Sequence, residues 1–485
     1  MLLGKGRFDL QLDSSLAGLA IALPEPFGKA AAETLPIRVI RTNRPDAEIL
    51  KRARVALPEN GDAIVVTLGR SGRLVNGLFI RRRSGESYVM QRGALGINEA
   101  APAPQSAGIA VSGSVAALDL DRWRALLKDG GSDVVSSIGL NVGALQAGGK
   151  RFNDVRLRAT PAAGGWSADL NARELEGQVT WQSEGRGRIV ARLKRFTIPD
   201  SGPETTDAPG SDLPALDIAA EQFVLGDKNL GRLELGAVNE ARDWRIEKLL
   251  VTSPDGTLRA TGLWQSRETR PSVSLDFKLE VGDAGKYLAR LGYPETVKAG
   301  SATLEGKVNW LGSPQSIDYP TLAGEVRLHA GKGQFLRAEP AIAKLLGILS
   351  LQSWITLDFR EFFGEGFAFE TISSDARIKN GILSTEDFAM SGKAAQVSMS
   401  GSVDLAQETQ QLRVRVVPAV GGSVSGLLAV LANPVWGLGS LVLQRVLKDP
   451  LGRIFEFEYA VAGTWTDPKV ERLRAEALPG VSPNQ

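Results

Sequence analysis

At 485 residues the chain has room for several domains or for one elongated one. A hydrophobic content of 43% beside 23% charged residues excludes global disorder. A formal charge of +2, from 57 basic and 55 acidic residues, lacks the one-sided basic excess of a nucleic-acid binder. With no cysteine, disulfides, thiolate nucleophiles and Cys-based metal sites are excluded together.

The chain opens with Met1-Leu2-Leu3-Gly4-Lys5-Gly6 and no basic region followed by an apolar core. That start predicts either a cytoplasmic protein or the downstream part of a longer polypeptide. Phe8, Leu10 and Leu12 then begin an alternation of apolar and polar residues that returns all along the chain. A period of two puts every apolar side chain on one face of a strand. Asn60-Gly61, Asn76-Gly77, Asp255-Gly256 and Asn380-Gly381 read as hairpin turns. Arg81-Arg82-Arg83 reads as a solvated edge or face. Soft boundaries fall at Asn98 to Gln105, with its Ala-Pro-Ala-Pro, and at Asp200 to Asp212, rich in Ser, Gly, Pro and Asp.

Short helices are predicted over Asp121 to Lys128, carrying Trp123, Leu126 and Leu127, and over Asp283 to Leu291, carrying Tyr287 and Leu288. Between them, Val273, Leu275, Phe277, Leu279 and Val281 alternate with Ser, Asp, Lys and Glu, a half-buried strand. A pattern of apolar, x, Gly, x, Val or Trp recurs around Gly113, Gly177, Gly262, Gly306, Gly401 and Gly463 at irregular intervals. Glycine on the apolar face marks a bend, close packing or space for an apolar ligand.

The single histidine, His329, lies on the polar side of an alternating run, so a Ser-His-Asp triad or a His-rich metal site has no footing. There is no GxxxxGK[ST] loop and no GxSxG elbow. The composition predicts a chain that is not an enzyme and carries no cofactor. A third helix is expected from Glu339 to about Leu351, with Pro340 in its first turn.

From Val416 to Gln444 no residue is ionisable, and Asn433-Pro434 interrupts the run. Two arms of roughly 14–20 Å each fall short of a ~30 Å hydrocarbon core. The geometry suits a helical hairpin lying in a membrane interface, with Leu427, Leu428, Leu431, Trp436, Leu438, Leu441 and Leu443 in contact with it. A buried hairpin closing the β structure is the other reading. Phe455, Phe457, Tyr459 and Val461 resume the strand alternation.

The last third carries an ordered set of motifs. They include Gly333-Gln334-Phe335-Leu336, Leu345-Leu346-Gly347-Ile348-Leu349-Ser350-Leu351, Phe363-Gly364-Glu365-Gly366-Phe367 and Gly401-Ser402-Val403-Asp404-Leu405. Leu447-Lys448-Asp449-Pro450-Leu451 and Gly463-Thr464-Trp465-Thr466-Asp467-Pro468 complete it. These resemble the C-terminal region of YhdP-type AsmA-like proteins, and Leu23-Pro24-Glu25-Pro26-Phe27-Gly28-Lys29 is similar to a further stretch of that family.

The resemblance implies a mostly β chain: an elongated, curved antiparallel sheet forming a hydrophobic groove, with a few short helices and a C-terminal helical hairpin. It divides into β segments 1–98, 107–200 and 213–335, a C-terminal region 336–470 and a tail 471–485. It implies an envelope protein of a Gram-negative bacterium, in the periplasm and anchored in the inner membrane when full length. Its partners would be phospholipids and a membrane surface, the outer membrane at the C-terminal end.

Val273, Leu275, Phe277, Leu279, Leu304 and Val308 are the expected lining of the groove, with Val397, Met399 and Val403 further on. The alternatives are a structural or regulatory factor in outer-membrane assembly, and a β-sandwich glycan binder using Trp166, Trp181, Trp264 and Trp310.

Overall fold

The computed structural model describes residues 2–4, 7–25, 27–70, 72–127, 134–147, 150–198, 213–240, 243–266, 270–314, 316–336, 367–418 and 457–473. Strands dominate and helices are few, as the alternation predicts. The chain divides into two compact units, the first ending with strand Ala215–Leu225 and the second beginning with strand Lys228–Glu240.

In the first unit most neighbouring strands are antiparallel. Three pairs are parallel: Ser87–Ile97 with Gly108–Asp119, Gly108–Asp119 with Val135–Ala147, and Arg188–Ile198 with Ala215–Leu225. Parallel neighbours need a crossover rather than a two-residue turn. The segments flagged as boundaries, around residues 98–105 and 200–212, fall between two of these parallel pairs. In the remaining pair the helix Leu120–Leu127 follows strand Gly108–Asp119. Trp123 anchors it through an edge-on contact with Phe27, at 5.8 Å between centroids.

In the second unit the order of strands in the sheet is their order in the chain. Every neighbour is antiparallel, from Lys228–Glu240 to Pro468–Leu473. A separate three-stranded sheet, Val297–Ala299, Gly333–Phe335 and Phe367–Phe369, packs its phenylalanines into the core of this unit. The helix Ala284–Arg290 starts where predicted, with Asp283 as its cap accepting from the Lys286 N–H at 3.0 Å.

Two turn signals and one charge reading need correction. Asn76-Gly77 lies inside strand Arg73–Ser84, and the reversal comes instead at Gly72, whose φ is 88°. Pairing with Val66 and Leu95 keeps Gly77 extended, and a side chain there would meet the Phe79 ring and Leu95. Asn60-Gly61 leads into strand Gly61–Arg70 from a loop and joins no hairpin. Asp255-Gly256 and Asn380-Gly381 do close hairpins, the second with φ of 52° and 77°, as a type I′ turn requires.

Arg82 and Arg83 are exposed as expected, but Arg81 is turned onto a buried carboxylate. A helix the sequence did not announce, Glu48–Ala53, buries Leu50 against Ala63, Leu78 and Ile80. Strand Thr409–Pro418 takes the first residues of the run read as a helical hairpin. The rest of that run, with Leu427, Leu428, Leu431, Trp436, Leu438, Leu441 and Leu443, lies outside the described residues, as does the helix expected from Glu339 to Leu351.

Candidate functional site

The register of the second unit fixes which side chains share a face, because residues opposite each other in a ladder point the same way. Val273 stands opposite Trp264 and Trp310, Leu275 opposite Gly262 and Val308, and Phe277 opposite Ala260 and Gly306. Leu279 stands opposite Leu258 and Leu304, which continues to Leu328. Across later strands the same rows reach Val397, Met399 and Val403, paired with Met390, Phe388 and Leu383. The predicted lining residues therefore sit on one face of one sheet.

They differ in cover. Leu275, Phe277, Leu279, Leu304 and Val308 are half-buried. Val273, Val397, Met399 and Val403 are at most 5% exposed and belong to the packed interior. Val397, Met399 and Val403 join a core with Phe335, Phe367, Phe369, Phe388 and Val414. The recurrent glycines serve strand packing. A Cβ on Gly306 would meet the Glu325 carbonyl at 2.4 Å, and one on Gly401, where φ is 136°, the Gln411 carbonyl at 2.3 Å. Neighbouring backbone fills the space a ligand would need.

The opposite face is wet and ion-paired. Lys307 bonds Asp276 at 3.1 Å, Arg327 bonds Glu305 at 3.2 Å and Asp375 at 3.0 Å, and Arg377 lies 3.8 Å from Glu325. Asp375 and Glu305 together raise the Arg327 pKa, and Lys278 with Arg259 lowers that of Glu280. A cavity of about 820 Å³ opens among these side chains, touching Phe277, Gly306, Val326 and Ala376 of the apolar rows and the charged residues beside each. Alternation places that opening on the charged face. Of the predicted lining residues only Phe277 borders it.

His329 is exposed on this wet side. Among the described residues no group of His, Asp and Glu could hold a metal, and no helix is long and apolar enough to cross a membrane. Of the tryptophans offered for sugar stacking, Trp166 and Trp181 are half-buried and the other two are no free platforms. Trp264 and Trp310 are buried, their indole N–H groups donating to Gly312 O at 2.8 Å and Ser316 O at 3.0 Å.

The first unit holds an equivalent apolar face that periodicity alone did not single out. One row runs Leu12, Val39, Val66, Gly77, Leu95, Val111, opposite one another strand by strand. It continues through Ile138, Ala159, Ala168, Val179, Ala191 and Ile218. The signal was hidden because Ile64-Val65-Val66 is apolar on both sides, Val65 packing under the helix Glu48–Ala53.

A sheet with one apolar and one ion-paired face defines a β-rich protein built of one-sided strands. The chain is a member of the YhdP protein family, whose model matches residues 3–470. Over 490 residues it is 22% identical to the intermembrane phospholipid transporter YhdP of Escherichia coli (strain K12), covering 96% of this chain and 37% of that protein. The chain thus spans well under half the length of that relative. No solved structure matches it.

Proposed function

We propose that this chain carries phospholipid acyl chains along its apolar faces between the two membranes of a Gram-negative envelope. The observation that supports this reading is the half-buried row of Leu275, Phe277, Leu279, Leu304 and Val308. Fully burying a side chain of that kind contributes about 1.5–3 kcal/mol, so an apolar tail laid on the row gains by covering it. The name of the E. coli relative supports phospholipid as the cargo.

Transfer on such a surface is passive. A tail exchanges one apolar contact for the next, headgroups stay at the rim in water, and no covalent step or cofactor is needed. Val273, Val397, Met399 and Val403 then act as the packed support of the face rather than as tail contacts. The chain works in the periplasm as part of a form anchored in the inner membrane. Its C-terminal run, Leu427 to Leu443, meets the outer membrane.

Mass spectrometry of lipids extracted from the purified chain tests the reading. Phospholipid is expected to co-purify, and a photocrosslinking residue at Phe277 is expected to capture it where one at Lys278 does not. Absence of both signals overturns the proposal in favour of a factor that moves no lipid.

A further inference from the structure

At one end of the apolar face of the first unit, Asp62 is fully buried and accepts from two arginines. Arg41 Nε donates to Oδ2 at 2.5 Å, Arg81 Nε to Oδ1 at 2.9 Å and Arg81 Nη2 to Oδ2 at 2.6 Å. The Tyr88 ring lies 4.8 Å from each guanidinium carbon, and Arg41 also covers Phe8 at 5.0 Å.

Register places this cluster on the oily face. Arg41 stands between Leu10 and Ile64, and Ile64 stands opposite Phe79. Asp62 and Arg81 are opposite each other two residues along, followed by Met90. Leu10 and Leu12 beside it are 45% and 57% exposed.

One carboxylate needs one cation, so the second arginine leaves an excess positive charge. Alternation puts no other acidic side chain on this face of the five strands from Arg7–Ser14 to Ser87–Ile97, and adds the exposed Arg83. Burying uncompensated charge is costly, yet Arg41 and Arg81 keep 34% and 23% of their side-chain surface open. Asp62 and Tyr88 hold the two forks in place. Arg41 Nη1 and Nη2 and Arg81 Nη1 donate to no described residue. Fixed, partly open guanidinium donors at the end of an apolar strip match an anion tethered to an apolar tail.

We propose that Arg41 and Arg81 form a binding site for the phosphodiester of a phospholipid whose acyl chains lie toward Ile64, Val66 and Phe79. The site rests on the lipid-carrying reading and adds headgroup recognition to it.

The experiment compares binding of phosphatidylglycerol, diacylglycerol with the same acyl chains, and glycerol 3-phosphate to the full chain and to Arg41→Gln and Arg41→Lys variants. Phosphatidylglycerol is expected to bind about tenfold more tightly than diacylglycerol, the worth of one hydrogen-bonded charge. Arg41→Gln should remove most of that preference while diacylglycerol binding stays unchanged. Arg41→Lys should keep part of it, and it carries the test if glutamine weakens the fold.

Equal binding of both lipids by the unmodified chain overturns the phosphate site and leaves the lipid reading standing. Glycerol 3-phosphate bound as tightly as phosphatidylglycerol overturns the lipid assignment in favour of a free-phosphate site. Failure to bind either lipid removes the lipid reading itself.

Discussion

Between Gly256 and Ala330 of the second unit the central apolar residues, Leu275, Phe277, Leu279, Leu304 and Leu328, are half-buried. Between Ala395 and Val461 those of the same parity, Val397, Met399, Leu412, Val414 and Val461, are closed off. Strand length, pairing and alternation are alike in the two regions. What separates them is the residues packed on top: Phe335, Phe367 and Phe369 belong to the sealed core, the rings of Phe335 and Phe369 being 4.9 Å apart. The same sheet pattern therefore yields both a sealed core and a half-buried oily surface.

The contrast can be broken most sharply at Val414, which has no exposed surface. Val414→Asp strands a carboxylate in the sealed region and should cost about 4 kcal/mol or more in denaturant unfolding. A loss below about 1 kcal/mol would mean that the core admits water and the two regions are not distinct.

Leu275→Asp, in the half-buried region, should cost only about 1–2 kcal/mol, since its face is already part-solvated. It should nevertheless cut co-purified phospholipid by half or more. Lys278→Asp on the opposite face exchanges an exposed ion-pair partner of Glu280 and should leave lipid content unchanged. Equal lipid content in the two variants would remove the open face as the carrier.

The smallest effect belongs to the wet face. Hydrogen bonds from Lys278 and Arg259 lower the pKa of Glu280, and Lys248 lowers that of Glu234. A carboxylate whose folded pKa is depressed contributes stability above its unfolded pKa and loses it as pH falls through the folded one. Thermal midpoints should hold steady from neutrality to about pH 5 and decline below the ordinary carboxylate range, near ~4. A rise in stability on acidification would show that these pairs do not favour the folded state.

Strand character was legible because it is local: the alternation over Ser272 to Val281 coincides with the strand Ser272–Val281. Cover was not, since the phenylalanines packed with Met399 come from residues 335, 367 and 369, far away in sequence. Arg81 read as solvated for the same reason, its partner Asp62 lying on the neighbouring strand. Asn76-Gly77 has the residues of a hairpin turn, but pairing with Thr67 and Val66 on one side and Gly96 and Leu95 on the other keeps it extended. Parity alone grouped Leu275, Phe277, Leu279, Leu304 and Val308 on one face. The Arg41–Asp62–Arg81 cluster needed the register of three strands.

Among the described residues each strand of the second unit's main sheet ladders only with those before and after it, so its hydrogen-bonded cohesion is a sum of nearest-neighbour terms, to which the packing of Phe335, Phe367 and Phe369 adds across strands. Strand Pro468–Leu473 has, among the described residues, Phe457–Thr464 as its single ladder partner. Peeling it away would cost one interface and leave the rest intact. Such a sheet frays from its margin inward, and hydrogen exchange should record that gradient as protection climbing strand by strand from Leu473 toward Val397.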